Sequence, residues 1–118
     1  MITRAHRFHG YGSLRYIYRH GKTVRGPLCS LKYIQNKRRK TYRVSVVVNK
    51  KVNRSAVARN RIRRRMYEVI RLNEKLIIEP YDLVFTIFSD QINELEQDEL
   101  NRLVLAQFFQ AGVISTKS

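Results

Sequence analysis

Arginines stand at positions 59, 61, 63, 64, 65 and 71, with Lys50, Lys51 and Arg54 just ahead of them. Across residues 50–71 these cations face a single acid, Glu68. A guanidinium is a planar fork of donors that pairs bidentately with phosphate oxygens, so arginine at this density points to phosphodiester contact. A helix face that need only be soluble alternates sign, because opposite charges at i,i+4 support a helix and like charges oppose it. Here Arg59/Arg63 and Arg61/Arg65 are like pairs at that spacing. Aliphatic residues are still threaded between the cations: Ala58, Ile62, Met66, Val69 and Ile70 form one apolar stripe able to pack on a sheet.

The wider charge distribution agrees. Residues 1–67 hold 20 Lys and Arg and no Asp or Glu, whereas residues 68–118 hold 4 and 9. Self-repulsion of that size in a compact domain costs stability, and a polyanionic partner is the usual reason to tolerate it. Nucleic acid is therefore the leading partner class. An anionic membrane surface is second, but no amphipathic anchor stands out, and neither an apolar run long enough to span a bilayer nor an apolar leader core is present. The 118 residues suit one domain, 1–118. Cys29 is the single cysteine, which fits a reducing compartment, and in a strand it reads as a small buried hydrophobe. His6, His9 and His20 have no carboxylate or second cysteine near them in sequence, so phosphate contact or simple exposure is favoured over a metal site.

The elements that must carry these residues are legible in outline. Residues 1–12 read as irregular. Leu14, Ile17 and Tyr18 mark one face of a short helix N-capped by Ser13 and closed at Gly21. Residues 22–26 form a short extended piece, and 28–34, 42–48 and 81–89 read as strands. The run 36–40 reads as a hairpin loop and 49–54 as a polar loop. Ser55 caps a long helix reaching about Leu76, residues 90–94 are a loop, and a last helix spans Leu95–Ala111 before Gly112. The order is helix, two strands, helix, strand, helix: an α+β domain whose helices pack on one small mixed sheet, with 42–89 as a βαβ unit.

The stretch KKVNRSAVARNRIRRR, residues 50–65, resembles the signature of the protein subunit of bacterial ribonuclease P: a Lys-Lys pair, a short spacer, Ala-Val, then Arg-Asn-Arg, an aliphatic residue and more cations. The resemblance runs on through the short helix ending His20-Gly21, the valine-rich strand and YDLVFTIF, and fades in the last helix. It implies a two-layer α/β sandwich with a left-handed βαβ crossover, where pattern alone favours the right-handed form. It also implies a small basic partner of a catalytic RNA, the two together cutting precursor tRNA to leave the mature 5′ end, with Mg²⁺ held mainly by the RNA and none bound tightly by the protein. By the same resemblance Lys50, Lys51, Arg59, Asn60, Arg61, Arg63 and Arg64 face the catalytic RNA, and Arg54, a cation of the same loop, is placed with them by its charge. A cleft between the first helix and the sheet takes the single-stranded 5′ leader against Leu14, Tyr18 and Tyr33. Leu14 stands where many relatives carry phenylalanine, and Asn53-Arg54-Ser55 where many carry a glycine. No protein residue is expected to be catalytic, the expected partners are the catalytic RNA and precursor tRNA, and the expected compartment is the cytoplasm.

The residues support that division of labour, since Mg²⁺-assisted phosphodiester cleavage needs clustered carboxylates and residues 1–67 have none. Two other readings compete. A basic structural ribosomal protein shares the size and charge, but its mark would be long basic tails, and GVISTKS carries one lysine. A module reading the DNA major groove should show amide side chains on its recognition helix, and only Asn60 fits.

Overall fold

Strand β4, Tyr81–Ile87, is the middle of the domain although it is the last strand in the chain. In the computed structural model, which describes residues 6–7 and 11–114, the sheet runs β1 (Lys22–Arg25), β2 (Cys29–Gln35), β4, β3 (Arg43–Val47). Strand β2 lies antiparallel to both β1 and β4, and β3 runs parallel to β4. The helices are α1 (Tyr11–His20), α2 (Ala56–Leu72) and α3 (Gln97–Ala111).

Alternation along the strands divides the apolar residues between two faces. Leu83, Phe85 and Ile87 of β4 share one face with Cys29 and Leu31 of β2 and with Val44 and Val46 of β3. Ile62, Met66, Val69 and Ile70 of α2 and Leu100, Val104 and Phe108 of α3 close over them, and the Phe85 and Phe108 rings meet edge-on at 5.6 Å. These are the two layers. Helix α1 covers the opposite face, where Ile17 seats on Val84 among Leu14, Ile34 and Val47.

Several expectations are corrected. The short extended piece is a full edge strand, β1, and the hairpin lies at Gly26–Leu28, where the Gly26 N–H donates to the Cys29 carbonyl at 2.9 Å. Residues 36–40 are no hairpin: β2 and β3 flank β4, so this loop passes over the start of β4 and is tied there by the Asn36 N–H donating to the Pro80 carbonyl at 2.7 Å. Helix α1 begins at Tyr11, so Ser13 falls inside it rather than ahead of it. Helix α2 stops at Leu72 because Asn73 turns its side-chain amide back onto the Val69 carbonyl, at 2.8 Å, and a 3₁₀ turn, Glu74–Leu76, follows. A second such turn, Asp90–Asn93, occupies the expected loop.

Other expectations hold. Ser55 caps α2 from an extended conformation, its hydroxyl accepting from the Ala58 N–H at 3.2 Å. Gly112 closes α3 at φ 79°, and the next N–H, on Val113, donates to the Phe108 carbonyl. Gly21 ends α1 where a Cβ would meet the Ile17 carbonyl oxygen at 2.7 Å and that of Tyr33 at 3.0 Å. His9 and the tail 115–118 lie outside the described residues.

Cys29 is fully buried and donates to the side-chain oxygen of Gln107 at 3.0 Å. Burial pushes the thiol up to about 12. Alkylation requires thiolate and access. Iodoacetamide at neutral pH should therefore leave the native protein unlabelled and modify it only in denaturant; rapid native labelling would contradict the buried position. Because the folded value lies above the ordinary 9.0, this burial supports the fold below about pH 9 and its contribution is lost as pH climbs towards about 12.

Candidate nucleic-acid interface

The loop before α2 is shaped by asparagines. The Asn49 side-chain oxygen accepts from the Lys51 N–H at 2.9 Å, and that of Asn53 accepts from the Ser55 N–H at 2.9 Å. Such turns let the chain do without glycine in the spacer. The loop is then fastened to the helix. Arg59 donates to the carbonyls of Asn53 at 2.9 Å and Arg54 at 3.0 Å. Arg63 donates to the Val48 carbonyl at 3.2 Å and to the Asn60 side-chain oxygen at 2.6 Å.

The arginines of the motif therefore have unequal surroundings. Arg59 and Arg63 hold the loop that presents Lys50, Lys51 and Arg54, with further donors left over. Lys50, Lys51, Arg54, Asn60, Arg61 and Arg64 are exposed. None of the five cations in that set has an ion-pair partner among the described residues. Arg65 turns inward, donating to the carbonyls of Ile92 and Leu95. Arg71 pairs with Glu68, and hydrogen bonds from Arg71 hold the Glu68 carboxyl down at about 2.

Arg7 joins this surface, and the sequence did not reveal it. It pairs in parallel fashion with Val44 on the outer edge of β3, and its guanidinium lies 5.6 Å from the Tyr67 ring centroid. With Asn60, Arg63 and Arg64 it lines an open hollow of ≈ 410 Å³. Its Nε is buried without an acceptor among the described residues. The neighbouring His6 stacks on Tyr42 at 4.2 Å and so helps to hold the segment in place.

On the far face of the sheet, α1 presents Tyr18, 45% exposed, with the Lys32 ammonium 5.7 Å from its ring centroid. Leu14 lies close by but is partly buried against the small core under α1. Tyr33 does not join them. It shares the face of Cys29 and Leu31, packs against the main core, and meets Tyr81 edge-on at 6.4 Å. On the α1 face β2 presents Ser30, Lys32 and Ile34, and Lys32 is the one that meets Tyr18. The carboxylates bordering the basic surfaces are engaged: Asp82 by Arg43 at 2.8 Å and by Asn36 at 2.9 Å, Glu68 by Arg71, Asp90 by Asn53 at 3.2 Å. This donor set does not fit a Mg²⁺ site. Among the described residues no three His, Cys, Asp or Glu side chains converge, and no helix is long and apolar enough to cross a membrane.

A family model described as Ribonuclease P matches residues 2–112. The Ribonuclease P protein component of Chloroflexus aurantiacus is 33% identical over 113 residues, covering 96% of this chain and 82% of the relative. That of Clostridium botulinum is 36% identical over 100 residues, covering 84% and 87%. The solved RNase P protein of Staphylococcus aureus superposes with a TM-score of 0.83 at 20% identity, over 95% of this chain and 100% of that one. The one from Thermotoga maritima gives 0.75 at 20% identity, over 85% and 92%. These likenesses support the role of a ribonuclease P protein and not that of a ribosomal protein. With a basic α2 surface and a match along nearly its whole length, this chain belongs to the ribonuclease P protein family.

Proposed function

We propose that this protein component of ribonuclease P binds a catalytic RNA through the exposed face of α2 and the loop 49–54, and holds the single-stranded 5′ leader of precursor tRNA beside Tyr18 and Lys32. The observation that carries the reading is the set of exposed cations on α2 and its loop that no carboxylate among the described residues neutralises, held in place by Arg59 and Arg63. Arg7 extends that surface across Tyr67. The protein positions substrate and the RNA does the chemistry in the cytoplasm, with Mg²⁺ on RNA phosphates. This is supported by a basic surface whose few neighbouring carboxylates are already taken by arginine and asparagine donors. The direct test is cleavage of precursor tRNA by a bacterial ribonuclease P RNA at low Mg²⁺, with and without this protein. No gain in cleavage would overturn the reading.

Two outcomes separate its parts. An aromatic ring beside a cation is a platform for unpaired bases, worth ~1–3 kcal/mol per base. Tyr18→Ala should weaken precursor tRNA binding to the holoenzyme by about tenfold and leave mature tRNA, which lacks the leader, unchanged. Equal losses for both would make Tyr18 a packing residue. Replacing the acids of residues 68–118 singly by their amides should leave the single-turnover rate at saturating Mg²⁺ nearly intact in variants shown to be folded. A hundredfold loss from any one would place a metal ligand on the protein.

A further inference from the structure

Helix α1 has two flanks, and only one of them carries Tyr18. Tyr16 stands two residues away, so its side chain emerges about 200° further round a helix of 3.6 residues per turn. It is 56% exposed, and its ring lies 4.6 Å from that of His20 at a tilt of 43°. An aromatic pair on the solvent side of a helix buries little and adds nothing to the core. Tyr16 is also the ridge between two hollows. One, of ≈ 660 Å³, has Ile34 and Asn36 in its lining, with Lys37 and Arg38 beside them and Asp82 behind. The other, of ≈ 260 Å³, is lined by Arg15, Tyr16, Arg19 and His20.

The larger hollow is built rather than incidental. Asn36 fixes the basic loop at its rim: its N–H donates to the Pro80 carbonyl at 2.7 Å, its side-chain amide to Asp82 at 2.9 Å, and its side-chain oxygen accepts from the Arg38 N–H at 3.2 Å. Asp82, only 4% exposed, is matched by the fork of Arg43 at 2.8 and 2.9 Å, so the acid contributes no free negative charge to the wall. The exposed cations Lys37, Arg38, Arg39 and Lys40 follow directly. A ring open to stacking, an apolar patch at Ile34 and a row of cations are together the requirements of an unpaired nucleotide with its phosphates.

We infer that the Tyr16 flank of α1 is a second groove for single-stranded RNA, separate from the Tyr18 cleft and from the α2 face. A base stacks on Tyr16, and the flanking phosphates meet Lys37 and Arg38. The inference rests on the protein being an RNA binder, but not on which RNA occupies the Tyr18 cleft.

The test is fluorescence anisotropy of a short fluorescein-labelled oligouridylate with the full chain and no catalytic RNA. Tyr16→Ala should weaken one of the two oligouridylate sites about tenfold, in line with the loss of one stacking contact, while Tyr16→Phe keeps wild-type affinity because stacking needs only the ring. Lys37→Gln combined with Arg38→Gln should make the log-salt slope shallower by about 1.4, since each single-strand phosphate contributes roughly 0.7. In a stoichiometric titration the wild-type chain should hold two oligouridylates tightly at the two grooves, Tyr16→Ala and Tyr18→Ala should each lose one of them, and the double variant should lose both, as separate grooves require. Circular dichroism establishes that each variant is folded. If Tyr16→Ala binds like wild type while Tyr18→Ala is weakened, the second groove is wrong and the Tyr18 cleft stands. If the wild-type chain binds no oligouridylate at all, both fail.

Discussion

Replacing Arg61 and Arg64 together by alanine should weaken binding of a bacterial ribonuclease P RNA by about thirtyfold at roughly 0.15 M salt and flatten the log-salt slope by about 1.8, because each neutralised phosphate contributes roughly 0.9 to that slope. Both side chains are exposed and lack ion-pair partners among the described residues, so the fold should lose little: exposed substitutions fall within about 0.5 kcal/mol. The control is Arg59→Ala, which releases two backbone carbonyls of the loop and should cost stability as well as affinity. Salt titrations of the cognate RNA, run beside thermal melts, read both quantities. Unchanged affinity and slope in the double variant would move the interface away from α2.

Arg65→Ala should do the reverse. This arginine sits in the same basic run, yet it is half-buried and donates to the carbonyls of Ile92 and Leu95, tying α2 to the turn that leads into α3. Hydrogen bonds to charged groups contribute ~1.5–3 kcal/mol each, and a buried carbonyl left bare adds a further cost. A loss of about 3 kcal/mol is expected, which lowers the melting temperature by about 10 °C in a domain of this size. Arg65→Lys should recover only part of it, since an ammonium is a point charge without the planar fork that spans two carbonyls. RNA affinity of the folded fraction should hardly change. Arg65→Ala melting like wild type while binding RNA poorly would make Arg65 an RNA contact instead.

The contrast between Arg61 and Arg65 marks how far the sequence could be read. The apolar stripe Ala58, Ile62, Met66, Val69 and Ile70 was visible from spacing, and all of it is buried except the half-buried Ala58. The valine-rich strand 42–48 was likewise legible, and its Val44, Val46 and Val48 are buried. What spacing could not supply was the fate of individual cations, which depends on carbonyls contributed by distant turns. Sheet order was hidden for a related reason: a strand pattern states which residues face inward but not which strand lies beside it. Adjacency of β2 and β3 in sequence suggested a hairpin, yet both pair with β4. Tyr33 was a different kind of miss. Cys29 and Leu31 fix the inner face of β2, and the period of two then sends Tyr33 inward and Lys32 to the cleft. The signal was present and the aromatic residue outweighed it. Arg7 had no such signal, because an isolated bridge to the edge of β3 leaves no periodicity to detect.

Because β4 completes the sheet and comes last among its strands, no strand of β2 or β3 has its main partner until residue 87 has been made. Residues 1–67, with 20 cations and no acid, are all synthesised before then. At about 5–20 residues per second the gap from residue 67 to residue 87 lasts about 1–4 s. For that interval β1 and β2 have each other, β3 has no neighbour in the sheet, and the chain made so far is strongly cationic. The sheet that supports α2 and its basic loop is therefore complete only when the central strand slots in.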